Sequence, residues 1–141
     1  MTVMSTQNVL NAIAADLTTR WIPTFAWEEA TGLQAKPPVA NLFVDRRIPT
    51  DSDQGGTLNM WKQIDVFLRV YVSASQRVKA GQKQMNDLLD QLLFVLNEDP
   101  TCGRAAACVE ISENGADNSV DLSDMTMISE ITLEVSPWMN P

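Results

Sequence analysis

The chain has 141 residues, of which 45% are hydrophobic and 20% are charged, a composition typical of one globular domain with its own core. Ten basic and eighteen acidic residues give a formal net charge of −8, and a surface of that sign repels nucleic-acid phosphates. The chain has no histidine, which excludes histidine-based nucleophile pairs and most zinc sites.

Sequence motifs for catalysis and cofactor binding are also missing. The sequence contains no phosphate-binding glycine loop, no dinucleotide-binding fingerprint and no serine nucleophile elbow. The stretch "DSDQGG" begins like a calcium loop, but Lys62 stands where a bidentate glutamate is required. Cys102 and Cys108 lack companion ligands, so we interpret them as reduced thiols. We therefore predict that the protein is not an enzyme and that it holds no cofactor or metal ion.

The sequence also predicts a soluble protein made in the cytoplasm. No Lys or Arg precedes Arg20, so the charged start of a secretory signal is missing. No apolar run approaches the roughly 20 residues that a membrane-spanning helix needs. We expect no membrane partner.

The first predicted elements are a helix and a strand. Ser5 and Thr6 are candidate N-caps, and Pro23 ends the helix because proline disfavours helical geometry in the residue before it. The helix face is apolar at the required spacing: Val9, Leu10, Ile13 and Leu17. The segment "VANLFVDRR" at 39–47 is a predicted strand, and residues 48–60 are rich in turn formers and predict a long exposed loop.

The segment Lys62–Ala74 alternates in hydrophobicity and predicts a long strand with two unlike faces. One face is aliphatic: Ile64, Val66, Leu68, Val70 and Val72. The other face combines charges with aromatic rings: Asp65, Phe67, Arg69 and Tyr71. Such a composition is typical of protein–protein contacts. The open alternative is that Thr132 and Glu130 cover this face as cross-strand neighbours within the sheet.

The second half of the chain predicts a helix, two strands and an acidic loop. The helix carries an apolar stripe and ends before Pro100: Met85, Leu88, Leu89, Leu92 and Leu96. Arg104–Ser112 and Met125–Val135 are the predicted strands, and residues 113–124 between them form the predicted acidic loop. The whole chain, 1–141, is thus predicted to be a single α+β domain. Its element order is α-β-β-α-β-β, with a mainly antiparallel four-stranded sheet and two helices packed on one face.

The order of these segments resembles that of the tail terminator (minor tail protein U) proteins of long-tailed bacteriophages. The resemblance spans most of the chain, from the Pro-preceded strand "KPPVANLFV" through "QIDVFLRVYVSASQ" and "MNDLLDQLLFVLNEDP" to the strand "SEITLEV". It is a similarity of pattern, without a signature motif.

The resemblance implies a structural virion protein without catalytic activity. Members of this family form a ring, typically a hexamer, that caps the tail tube at its final length and joins the head through connector proteins. The expected partners are copies of the chain itself, the tail tube protein and the head–tail connector proteins, while DNA passes through the ring without specific binding. The expected location is the head-proximal end of the tail in the virion, and the host cytoplasm before assembly.

On this interpretation, Asp65, Phe67, Arg69 and Tyr71 form the subunit interface. Arg47 and Trp61, which flank the loop, contact the tube or the head. Two alternatives remain open at this stage: a head-completion or connector protein at the same joint, and a monomeric ligand-binding α+β domain.

Overall fold

The computed structural model describes residues 5–26, 36–49, 61–73, 78–121 and 125–137. Within these ranges the chain forms two helices and one sheet. In chain order the elements are α1 (Thr6–Arg20), β1 (Thr24–Ala26), β2 (Val39–Pro49), β3 (Trp61–Ser73), α2 (Val78–Glu98), β4 (Cys108–Asp121) and β5 (Thr126–Ser136). The strands lie in the order β1-β2-β3-β5-β4, so that β3 is central and β4 is at one edge.

The predicted four-stranded antiparallel sheet and the order α-β-β-α-β-β are wrong. The fold is α+β with two helices, but the sheet is mixed, because the three-residue strand β1 pairs in parallel with β2. Thr24 pairs with Ala40, and the carbonyl of Pro23 accepts a hydrogen bond from the Ala40 N–H at 2.9 Å. A segment of three residues is too short to show a period of two, and alternation therefore could not reveal this strand.

The predicted acidic loop is largely a strand. Residues 113–121 belong to β4, and residues 116–121 pair with β5 in antiparallel register. The pairing is interrupted between Ile111 and Ala116, where Gly115 has a φ of 71° that glycine tolerates better than other residues. The Asn-Gly pair therefore lies in an irregularity within β4. Of the predicted loop 48–60, Ile48 and Pro49 belong to β2, and residues 50–60 lie outside the described ranges.

The hydrophobic core lies between the two helices and one face of the sheet, which we call the inner face. The alternation predicted for the central strand is confirmed: Ile64, Val66, Leu68, Val70 and Val72 are all fully buried. Against them pack Leu10, Ile13 and Leu17 of α1 and Met85, Leu92 and Leu96 of α2. Burial of each such leucine contributes roughly 1.5–3 kcal/mol, which makes this core the main stabilising element of the fold.

Polar contacts cap the first turn of α1 and connect its last turn to α2. Ser5 is the N-cap of α1, as predicted, and its side chain accepts a hydrogen bond from the Asn8 N–H. Near the other end of α1, Arg20 pairs with Asp16 at 2.6 Å and donates to the carbonyl of Val95 at 2.9 Å. A cation at the C-terminal end of α2 is favourable because the carbonyls there carry partial negative charge. The Asp16 carboxylate raises the pKa of Arg20 through their hydrogen bond, so this link stays charged.

Candidate protein-interaction face

The face of the sheet opposite the helices, which we call the outer face, carries the side chains that the sequence singled out. Asp65, Phe67, Arg69 and Tyr71 alternate along β3 with the core residues, and they therefore share this face. The predicted cross-strand neighbours are confirmed, because Phe67 pairs with Thr132 and Arg69 pairs with Glu130. The structure thus brings the four predicted residues together in adjacent rows of one surface.

Aromatic side chains form the centre of the outer face. Phe43 of β2 lies directly opposite Phe67, and both are only partly buried. Tyr71 lies between Val39 of β2 and Ile128 of β5. Directly opposed aromatic residues on neighbouring strands interact with each other and stabilise the sheet. Because the helices lie on the inner face, part of this aromatic surface remains accessible to a partner.

Arg69 connects the aromatic centre to the acidic side of the face. Its Nε donates to Glu130 Oε2 at 2.7 Å, and its guanidinium lies 5.2 Å from the centre of the Phe43 ring. The hydrogen bond to Glu130 raises the pKa of Arg69 above its usual value. Beside this pair is an open depression of about 330 Å³, lined in part by Tyr71, Ile128 and Asp117. Arg69 is therefore held in one orientation by groups of its own chain.

Asp65, which the sequence predicted as an interface residue, is buried. Its residue exposure is 7%, and its carboxylate accepts a hydrogen bond from Gln63 Nε2 at 2.7 Å. It also pairs with Arg46 at 3.3 Å, whose side chain is 69% exposed. Asp65 thus holds Arg46 in place, and Arg46 is the charge that faces solvent.

Carboxylates accumulate on the outer face in a way that the separate strand sequences do not reveal. Asp65 pairs with Glu134 on β5, and Glu134 in turn pairs with Glu110 on β4. We call these three residues the acidic row. Like charges placed directly opposite each other destabilise a sheet, so this arrangement costs the isolated chain free energy. Above the row lies an open depression of about 540 Å³, whose lining includes Asp45, Phe67 and Thr132.

Asn41 is a polar residue that is fully buried in the sheet. It lies opposite Arg69 and Phe25, is fully buried, and its amide oxygen and nitrogen have no hydrogen-bond partner in the described part of the chain. A buried unpaired amide is costly and unusual in folded proteins. The sequence alone does not reveal Asn41, Phe43 and the acidic row as neighbours of β3, because their proximity depends on the register of strand pairing.

The other two predicted site residues lie at one end of the β2–β3 pair. Pro49 pairs with Trp61, and the guanidinium of Arg47 lies 6.0 Å from the centre of the Trp61 ring. Trp61 is 36% exposed. Arg47 and Trp61 therefore contact each other and do not belong to the aromatic centre around Phe67.

A second exposed apolar surface lies on α2, away from the outer face. Leu93 and Phe94 are 52% and 67% exposed. Beside Leu93 is a depression of about 410 Å³ that Leu96, Pro100 and Val109 help to line. Among the described residues that line this depression, Glu110 is the one with a charged side chain.

The described residues provide no cluster of side chains typical of metal binding. Among them, no three cysteine or carboxylate side chains are grouped so that they could hold a metal ion. None of the helices in the described ranges is long and apolar enough to cross a membrane. The chain matches no protein-family model and no curated protein sequence.

Proposed function

We propose that the protein is a structural subunit that assembles with copies of itself into a ring and caps a phage tail tube. The observation that carries this proposal is the outer face, where Phe43 and Phe67 are paired and only partly buried, with Arg69 held beside them. Aromatic residues and arginine are enriched at protein interfaces and provide much of their binding energy. The pattern resemblance to tail terminator proteins names the assembly to which such a subunit would belong.

The acidity of the chain supports a ring through which DNA passes. A net charge of −8 repels phosphates, and an acidic lining would let DNA slide without binding. The proposed role needs no catalytic group. It needs contacts to other copies, to the tube and to the head connector.

The test is whether the purified protein forms rings and whether the outer face is required for them. We would measure particle mass and image the protein by negative stain at low and high concentration, with and without tail tubes. Replacing Phe67 and Tyr71 with serine should leave a folded monomer that neither forms rings nor binds tube ends.

The matched control uses the apolar surface on the other side of the molecule. Replacing Leu93 and Phe94 with serine removes two exposed apolar side chains from α2 and should leave ring formation intact. Rings of normal mass from the Phe67 and Tyr71 variant would refute the assignment of the interface. A monomer that forms no ring and binds no tube end under any of these conditions would refute the function.

A second candidate function is a monomeric domain that binds a cationic ligand. The depression of about 540 Å³ favours it, because Asp45, Asp65 and Glu134 contribute carboxylates to its lining. The same experiments separate the two candidates, since this domain would remain monomeric at every concentration and in the presence of tubes.

A further inference from the structure

The β2–β3 pair extends beyond the rest of the described sheet. The pairing of β3 with β5 ends at Ile64 and Val135, whereas the pairing of β3 with β2 continues to Trp61 and Pro49. We call this end of the pair, Arg47–Pro49 and Trp61–Gln63, the arm; Arg47 lies opposite Ile64, and the other arm residues lie beyond it. Three residues of strand extend about 10 Å at about 3.3 Å per residue. Within the described ranges, the arm is a two-stranded projection without a further strand beside it.

The arm is positively charged. It contains Arg47 and Lys62, both exposed, and its described residues include no carboxylate. The contact between Arg47 and the partly exposed Trp61 ring places a cation and an aromatic surface together at the projecting end. Arginine and tryptophan are the side chains most enriched in the centres of protein interfaces.

The acidic row has the opposite character. Asp65 is paired with Arg46, but neither Glu134 nor Glu110 has an ion-pair partner in the described parts of the chain. In the part of the chain that the structure describes, the hydrogen bond that Glu110 accepts comes from the Cys108 thiol, at 3.2 Å. The two glutamates pair across β4 and β5. Glu134 helps to line the depression of about 540 Å³, whereas Glu110 helps to line the depression of about 410 Å³ beside Leu93. A cation supplied from outside would relieve the repulsion between them.

We propose that the arm of one copy docks on the acidic row of a second copy, with Arg47 and Lys62 near Glu134 and Glu110. Gln63 of the arm donates to Asp65 of its own chain, but among the described residues no ion pair joins Arg47 or Lys62 to Glu134 or Glu110. Lys62 alternates with Gln63 along β3, and Arg47 pairs with the core residue Ile64, so the backbone places both cations on the face opposite the row of their own chain. Complementary charge therefore selects a second copy as the occupant. This inference rests on the proposed function, since it names the contact through which the subunits associate, and it replaces the tube or head contact that the sequence suggested for Arg47 and Trp61.

Charge reversal tests the proposal. Lys62→Glu in the arm and Glu134→Lys in the row should each weaken self-association at least about tenfold, because each places like charges in contact. An equimolar mixture of the two variants should associate again, since each arm then finds a row of opposite charge. Sedimentation velocity measures the association, and a thermal melt shows that each variant is folded.

The control is Lys83→Glu, which makes the same change in net charge as Lys62→Glu but on α2, where the Lys83 side chain is 82% exposed. It should associate like the original chain. Docking of the arm on a second copy is overturned if both reversal variants associate normally, or if their mixture stays dissociated. Normal rings from both variants would overturn the docking of the arm but not the proposed ring function. An original chain that never associates would refute the docking and the ring function together. Variants that form rings but lose binding to tube ends would assign the arm to the tube and overturn the inference.

Discussion

Replacing Asn41 with leucine is expected to stabilise the folded chain. The Asn41 side chain is fully buried, and both of its polar atoms lack a hydrogen-bond partner among the described residues. Leaving a buried polar group unsatisfied costs about 1–3 kcal/mol, and replacing it with an apolar group of similar shape is neutral or stabilising. Leucine has nearly the shape of asparagine and would lie near Val39 and Phe43 on the same face. We expect a gain of about 1–2 kcal/mol.

The assay is thermal and urea unfolding of the purified variant. For a chain of this length, 1 kcal/mol shifts Tm by about 2–4 °C, so we expect a rise of about 3–7 °C. Asn118→Leu is the matched control, because Asn118 lies in β4 with an exposed side chain. Its free energy of unfolding should change by less than about 0.5 kcal/mol. Asn41→Ala separates the loss of the amide from packing, because it also leaves a cavity and should stabilise less than leucine.

A fall in stability of about 1 kcal/mol or more in Asn41→Leu would refute the reasoning, because it would mean that the amide makes a favourable bond in the folded chain. Ring formation by the variant adds a second result. Greater stability together with weaker assembly would show that the buried amide serves association at the expense of the monomer.

Three further predictions concern other sites. Hydrogen bonds from the Thr101 hydroxyl, at 2.6 Å, and from the backbone N–H groups of Gly103 and Thr101 lower the pKa of Asp99. The Asp99 carboxylate therefore contributes to stability at pH values above about 4, the ordinary pKa of an aspartate. This contribution is lost as the pH falls through the lower pKa of Asp99 in the folded chain. In unfolding titrations, the free energy of unfolding of Asp99→Ala should therefore fall less steeply with acid than that of the original chain. Burial raises the pKa of Cys102 to about 12, so mass spectrometry after native iodoacetamide treatment should find label on the partly exposed Cys108 first, and label on Cys102 only after unfolding. Glu134→Gln removes two like-charge pairs and should raise the free energy of unfolding by about 0.5–1 kcal/mol. A lower free energy of unfolding, measured with urea, would contradict the cost assigned to the acidic row.

The sequence predicted the strands whose side chains alternate. In β5, Met127, Ile131, Leu133 and Val135 are buried and their neighbours are partly exposed, as the alternation indicates. The acidic half of β4 was predicted as a loop, because "ENGADNSVD" has polar residues on both faces and no period of two. Its strand is defined by pairing with β5, a tertiary contact that overrides local preference.

The candidate site was predicted only along a single strand. The alternation of β3 gave Asp65, Phe67, Arg69 and Tyr71 a common face, and the pairing of Arg69 with Glu130 was foreseen as the alternative to an interface. The pairing is confirmed, since Arg69 is satisfied within the sheet. Its aromatic neighbours are partly exposed, and the interface stays a prediction. Phe43 and Glu110 come from other strands, and one sequence contains no information on register that would place them beside β3.

The acidic row and the arm together predict opposite effects of salt on the monomer and on the assembly. Salt screens the repulsion between Glu134 and Glu110, so raising the ionic strength from about 0.01 to 1 M, which shortens the Debye length from about 30 to 3 Å, should stabilise the monomer slightly. The same screening weakens the attraction between Arg47 and Lys62 of one copy and the row of the next. Unfolding and sedimentation measured across one salt series would separate these effects, with Lys83→Glu as the control for net charge. Association that strengthens with salt would indicate that the aromatic centre around Phe67 drives assembly alone, because burial of apolar surface is not weakened by screening.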